Sequence, residues 1–220
     1  MKINSNKIKE AVRIITLAAQ DYDRILNGKN YIFIFKNRIN NQIEYFESVF
    51  LPRNFQHLTG VDFINEEKQI IHNSTQFYHK CIDSALKESE IRFKEDGTTE
   101  LKLRALPMIV NFLKTSKMTA VYNAIRPMLS VERLAGTTNF CLGFTKDKEY
   151  YVPSSCLFED IRNLSDVTFQ ILAILSKPAD KKEHVYKDIR YVAKGVEFNR
   201  LSLPEELKSC ISLENYHHNQ

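Results

Sequence analysis

Between residues 5 and 27 the apolar side chains fall at Ile8, Val12, Ile15, Ala19, Tyr22 and Leu26. That three-and-four spacing predicts one helix with a single apolar stripe. Ser5 or Asn6 can cap its start, and Asn27-Gly28 can stop it through a left-handed residue. Lys7, Lys9, Arg13 and Arg24 then form a solvated face. The next run, Tyr31-Ile32-Phe33-Ile34-Phe35, is apolar on both faces and predicts a strand in a buried sheet position. A turn over 37–42, with Asn40-Asn41 at its tip, and a returning strand over 43–50 complete a hairpin.

Further along, Ser74 can cap a second helix carrying Phe77, Cys81, Ala85 and Leu86 on one face. Asp96-Gly97 marks a turn, and a helical segment follows over about 99–117 with Leu101, Leu106, Ile109, Val110 and Leu113 inward. Pro107 inside it removes a donor and crowds the preceding turn, so it kinks or restarts that helix. Residues 118–127 read as a shorter helix or a connection. Strands over 138–144 and 149–152 flank the turn Thr145-Lys146-Asp147-Lys148. Two more strands, 167–175 and 185–192, are separated by a charged turn over 177–183. Leu203-Pro204-Glu205-Glu206-Leu207 starts a short terminal helix, and 216–220 reads as a frayed end. The sum is an α+β chain, an antiparallel sheet packed with helices on one side. It divides into an N-terminal helix (1–28), an α+β domain (29–200) and a C-terminal tail (201–220).

Composition narrows this picture only a little. The chain has 220 residues, 43% of them hydrophobic, enough for a sizeable core. The net charge of +4 is compatible with a nucleic-acid partner and equally ordinary for a soluble protein. Cys81, Cys141, Cys156 and Cys210 have neither disulfide-framework nor zinc spacing. Reduced thiols, no metal and no cofactor are therefore expected. The N-terminus leads into an amphipathic helix rather than a signal peptide, and no apolar run spans a bilayer. The expectation is a soluble, cytoplasmic protein with no membrane partner.

Chemistry concentrates at the exit of the first hairpin, in Leu51-Pro52-Arg53-Asn54-Phe55-Gln56-His57-Leu58-Thr59-Gly60-Val61. This connection reads as irregular backbone from which a rigid scaffold aims side chains. His57 is the side chain there that exchanges a proton near neutral pH. The bland alternative has Phe55, Leu58 and Val61 plugging a core while His57 caps a backbone group. Arg53 can pair with a carboxylate such as Glu47, Tyr150-Tyr151 can be sheet packing, and Ser154-Ser155 can cap a helix before Phe158. His72, His79 and His184 show no chemical company in the sequence.

Pro52-Arg53-Asn54-Phe55-Gln56-His57-Leu58-Thr59-Gly60-Val61 resembles the signature of a family of phages and mainly Gram-positive bacteria. It is the fourth type of phage-associated nuclease-like domain grouped with barnase, EndoU, colicin RNases and RelE. The resemblance continues in Asp96-Gly97-Thr98-Thr99-Glu100-Leu101-Lys102-Leu103 and in Leu134-Ala135-Gly136-Thr137-Thr138. It ends with Leu142-Gly143-Phe144, Tyr151-Val152-Pro153-Ser154-Ser155 and Glu159-Asp160-Ile161-Arg162. It covers roughly residues 30 to 195, and the order of the blocks is more specific than any one of them.

The resemblance implies an RNase-like core with a helical insertion and metal-independent RNA cleavage in a toxin or phage-conflict setting. RNA is the expected substrate; an antitoxin, host or phage protein is a further partner. Such cleavage takes a proton from the 2′-hydroxyl, stabilises charge on the phosphoryl oxygens and protonates the leaving 5′-oxygen. His57 is the candidate acid or base, and Arg53 the candidate phosphate fork. Thr59, Tyr151 and Ser154 are candidate hydrogen-bond donors. Lys114, Lys117 and Arg126 are candidates for a basic track along the nucleic acid. No second histidine lies in a matching motif. A non-enzymatic binding protein on the same fold is the alternative, and convergence of His57, Arg53 and a Tyr or Ser of 150–155 in one cleft discriminates between the two.

Overall fold

The computed structural model describes residues 5–125, 129–180 and 182–212. The frayed end expected at 216–220 lies outside them. Helix α1 (Ser5–Ile25) buries Ala11, Ile15, Ala18, Ala19 and Tyr22; Ile15, Ala19 and Tyr22 belong to the predicted stripe, and its Ile8 and Val12 are half-buried. Strands β1 (Lys29–Lys36) and β2 (Ile43–Phe50) pair antiparallel without a register shift, from Lys29 opposite Phe50 to Lys36 opposite Ile43. Then come α2 (Pro52–Thr59), β3 (Val61–Phe63), α3 (Ser74–Ile82), β4 (Ile91–Phe93) and α4 (Thr98–Ala105). A tight helical turn over Leu106–Asn111 and the short α5 (Phe112–Thr115) follow. The remaining strands are β5 (Met118–Val121), β6 (Arg133–Gly136), β7 (Cys141–Asp147), β8 (Tyr150–Leu157), β9 (Thr168–Pro178) and β10 (Asp188–Val192), with α6 (Glu205–Ser209) after them.

The expected antiparallel sheet with helices on one side is here a closed barrel. Seven strands close into a barrel in the order β1-β2-β8-β7-β6-β5-β9, with β9 returning to β1. The contact of β2 with β8 is parallel, through Ser48 opposite Tyr151, and the other junctions are antiparallel. Strand β9 bonds β1 along one edge, and β5 and then β10 along the other. The physical reason lies in β1: it is buried on both faces and bonded on both edges, so no edge of it is left to water. Closure satisfies those edges without a covering element.

The barrel interior is aromatic. Phe33 stacks on Phe46 with ring centroids 4.6 Å apart, and Phe112 of α5 and Phe144 lean on the same ring. Burying each such ring contributes about 1.5–3 kcal/mol. On the outer face, Ile32 and Ile34 are covered by Tyr186, Phe198 and Leu207, so the chain beyond β10 packs on the barrel. Helices α1, α2 and α3 share the interior cluster, through Tyr22, Phe55 and Phe77.

Several local expectations shift. Asn73, rather than Ser74, caps α3, its side chain accepting from the Gln76 N–H at 2.9 Å. Pro107 does end one helix, near the start of the tight turn. Residues 118–121 are strand, because Met118 to Ala120 pair with both β6 and β9. Ser154 and Ser155 lie within β8 rather than capping a helix. Among the described residues no helix is long and apolar enough to cross a membrane.

Candidate active site

The stretch 51–61 is not irregular: its core is the eight-residue helix α2. Pro52 sits in the first turn, where its missing N–H costs nothing and its fixed φ suits a helix. The Asn54 side chain accepts from the Leu51 N–H at 3.1 Å, and Gly60 closes the helix at φ +71°. Phe55 and Leu58 are fully buried on one face. Arg53 and His57, four residues apart, share the opposite, exposed face. Helix α1 holds this element in place: the Tyr22 hydroxyl donates to the Leu51 carbonyl at 3.0 Å, and its ring meets Phe55 edge-on.

Helix α4 forms the neighbouring wall. Asp96 accepts from the Thr98 N–H and hydroxyl and so starts the helix. The buried Thr99 hydroxyl donates to the Gly60 carbonyl and accepts from the Lys94 N–H at 2.9 Å. One turn later the Lys102 ammonium donates to the His57 carbonyl at 2.8 Å. A Cβ on Gly60 would stand 3.0 Å from Lys102 Cδ and 3.1 Å from Thr99 Cα. The glycine therefore serves both its left-handed backbone and the close approach of α4.

The third wall is the β7–β8 hairpin, whose register shifts at one point. Gly143 faces Ser155 and Phe144 faces Pro153, so Ser154 is the extra residue of a β-bulge. Bulges re-aim side chains, and Pro153, which has no N–H to give, is tolerated beside one. The Ser154 and Thr145 hydroxyls lie 2.9 Å apart, and Thr145 donates to the Ser130 carbonyl. Ser155 is 3% exposed and its hydroxyl has no hydrogen-bond partner among the described residues.

These walls enclose a cleft of about 940 Å³. Arg53, His57 and Ser154 line it together, with Lys94, Lys102, Lys146, Ser155 and His72. Its two carboxylates are each paired with an arginine: Asp147 with Arg53 at 3.1 Å and Asp62 with Arg92 at 3.0 Å. Partial burial, then Lys102 and Lys94, hold the His57 pKa below its usual 6.5, so the imidazole is neutral at pH 7. Burial and the Lys94 charge likewise lower the Lys102 pKa. Among the described residues no group of three or more His, Cys, Asp or Glu is placed to hold a metal ion. Cys156 is buried behind the cleft, its thiol donating to the Leu58 carbonyl; burial pushes its pKa up to about 12, so it is no nucleophile at neutral pH.

Four candidates stand elsewhere, and a fifth lies outside the described residues. Thr59 is fully buried and does not line the cleft. Its hydroxyl donates to the Gln56 carbonyl at 2.7 Å and accepts from the Val61 N–H, closing α2. The Tyr151 ring packs edge-on against Phe46, with the Lys146 ammonium 4.8 Å above it, outside the cleft lining. Lys114 and Lys117 are exposed around the end of α5 and do not line the cleft; Arg126 lies outside the described residues. The sequence also hid four lining groups: His72, Lys94, Lys102 and Ser155. His72 gains company because residues 64–71 fold back, with Ile64 bridging Ile70 and the Ile71 N–H donating to the Phe63 carbonyl. Lys102 left a trace, lying one helical turn beyond Thr99 in a block that carries the family resemblance.

A helix-flanked barrel with a basic, imidazole-bearing cleft suits action on a polyanion. The model of the family described as phage-Barnase-EndoU-ColicinE5/D-RelE like nuclease4 matches residues 14–195, and the chain belongs to that family. Comparison with curated proteins and with solved structures gives no match.

Proposed function

We propose that the cleft cleaves RNA without a metal, in a phage or bacterial conflict setting, and that His57 is its base. The observation that carries this is the convergence of Arg53 and His57 of α2 with Ser154 of the β8 bulge in one basic cleft. His57 is neutral at pH 7 and takes the proton of a ribose 2′-hydroxyl. The 2′-oxygen then forms its bond to phosphorus while the bond from phosphorus to O5′ breaks. His72, the other imidazole of the lining, returns a proton to O5′. Arg53, exposed at the rim, swings from Asp147 to a phosphoryl oxygen pair, where its fork outcompetes a single carboxylate contact. Ser154 donates to the same phosphate from the bulge. Thr59 and Tyr151 support these groups from behind, the first by closing α2 and the second by holding Lys146.

Binding without turnover is the second reading. It is favoured by the Arg53–Asp147 and Ser154–Thr145 contacts, which occupy both groups. End-group analysis separates the two. Total RNA and tRNA incubated with the protein in EDTA are expected to give 2′,3′-cyclic phosphate and 5′-hydroxyl ends, while single-stranded DNA stays intact. Intact RNA under the same conditions, with retention on a filter, establishes the binding reading instead.

A further inference from the structure

The cleft's positive charge is unevenly spoken for. Arg53 is held by Asp147, and Lys146 donates to the Glu149 carbonyl while lying over the Tyr151 ring. Lys94 and Lys102 differ: among the described residues neither forms an ion pair with a carboxylate. Lys102 is half-buried and fixed by one hydrogen bond, to the His57 carbonyl, which leaves two of its three N–H donors for a ligand. Burial lowers the Lys102 pKa and the nearby Lys94 charge adds to it, with the Asp96 carboxylate acting the other way without an ion pair to either lysine. Two unpaired cations held together by the fold, through Thr99 and α4, are stabilised by an anion between them.

Ser155 is an independent pointer. The residue lines the same cleft, and its buried hydroxyl makes no hydrogen bond among the described residues, an arrangement that costs stability until an acceptor or donor arrives. Its strand passes beside Lys102, since the Cys156 sulfur lies 3.5 Å from the Lys102 carbonyl oxygen. We propose that Lys94, Lys102 and Ser155 form an anion subsite within the cleft, and that its ligand is a phosphodiester of a single-stranded polynucleotide backbone. The choice of ligand rests on the nuclease reading; the subsite's charge and its unmade hydrogen bond do not. The subsite holds a phosphate while His57 works on the ribose, and it is the main source of the cleft's affinity.

The test is fluorescence anisotropy with a labelled 2′-O-methyl oligoribonucleotide, which binds but has no 2′-hydroxyl to react. A methylphosphonate oligonucleotide of the same sequence, without backbone charge, and inorganic phosphate as competitor complete the set. Lys102→Gln and Lys94→Gln are each expected to weaken binding about tenfold or more and to flatten the salt dependence by about 0.7 in slope per lost contact. Lys102→Arg keeps most of the affinity. Ser155→Ala weakens binding severalfold without lowering the urea midpoint, since the hydroxyl that it removes is unpaired. Lys94, exposed and with a side chain that makes no hydrogen bond among the described residues, covers the case in which Lys102→Gln disturbs α4. Parent-like binding and salt slope in Lys94→Gln, Lys102→Gln and Ser155→Ala together overturn the subsite. Equal binding of the methylphosphonate strand, or displacement of the labelled strand by an equal concentration of inorganic phosphate, overturns the backbone assignment. A parent that leaves unmodified RNA intact in EDTA, yet shows these variant effects, sinks the nuclease reading and leaves the subsite standing. Cleavage with no variant effect on binding does the reverse.

Discussion

The two long hairpins of this barrel have opposite jobs. β1–β2 pairs eight residues with eight, without a break, and its Tyr31, Phe33, Phe35, Phe46 and Phe50 join the aromatic interior. β7–β8 slips by one residue at Gly143, and the extra residue, Ser154, faces the cleft. Regular register alternates faces strictly and so builds core. A bulge breaks the alternation and places neighbouring serines, Ser154 and Ser155, along one wall. The lesson is that the site begins where the ladder fails, and that its stability is supplied by the hairpin where the ladder holds.

Breaking the regular hairpin should cost most. Phe33→Ala empties the centre of the ring cluster formed with Phe46, Phe112 and Phe144, and an expected loss of about 3–5 kcal/mol follows from a buried Phe deletion. Urea unfolding followed by circular dichroism measures it; a loss under 1 kcal/mol contradicts the claim that this ring centres the interior. Gly143→Ala attacks the bulge, since the new Cβ would stand 2.7 Å from Val131 Cγ1. Overpacking of that kind costs about 1–3 kcal/mol. The same change should lower RNA cleavage more than its stability loss explains, because Val131 and Ser155 both line the cleft. Thr99→Val removes a buried donor to Gly60 and an acceptor for Lys94, for an expected 1–3 kcal/mol or so. If its urea midpoint equals the parent's, α4 is not tied to Gly60 as described.

The smallest effect is on pH dependence. His57 has a folded pKa below its unfolded value of 6.5. Between those two values the unfolded chain holds more protons, so this contribution to stability is complete above pH 6.5 and is lost as pH falls towards the folded pKa. In His57→Gln that component is absent. The parent-minus-variant difference in unfolding free energy should therefore be constant above pH 7 and decline through the acid side of 6.5. A difference that rises as pH falls means that the folded pKa is raised, and the Lys94 and Lys102 charges do not reach His57.

What could be read from the chain follows the same division. The α1 stripe, the two-faced apolar β1, the β1–β2 hairpin and the break at Pro107 are local patterns several residues long, and periodicity reports them. The helix in 51–61 carried its own signs, Pro at the start and Gly at the end, but eight residues around a polar face resemble a loop. Barrel closure depends on β1 meeting β9, far along the chain, and β3 and β4 have three residues each, too few for alternation to register. The site inherits that obscurity. Arg53 and His57 were visible because they share a motif; Lys102 joins them across 45 residues, and His72 joins through a fold-back that β3 organises. Ser154 was visible as a residue but not as a bulge, because the slip exists only in the pairing of Gly143 with Ser155 and Phe144 with Pro153.

The central claim is that this cleft cleaves RNA through His57. The direct measurement is the rate of RNA cleavage in EDTA, across pH 5 to 8, by the parent and by His57→Gln, each first shown folded by urea unfolding. The account predicts that the acid limb of the parent's rate profile rises with pH through a midpoint below 6.5, and that the variant is slower by about 10²–10⁴-fold and lacks that limb. Equal rates and equal pH profiles in the two proteins would contradict it.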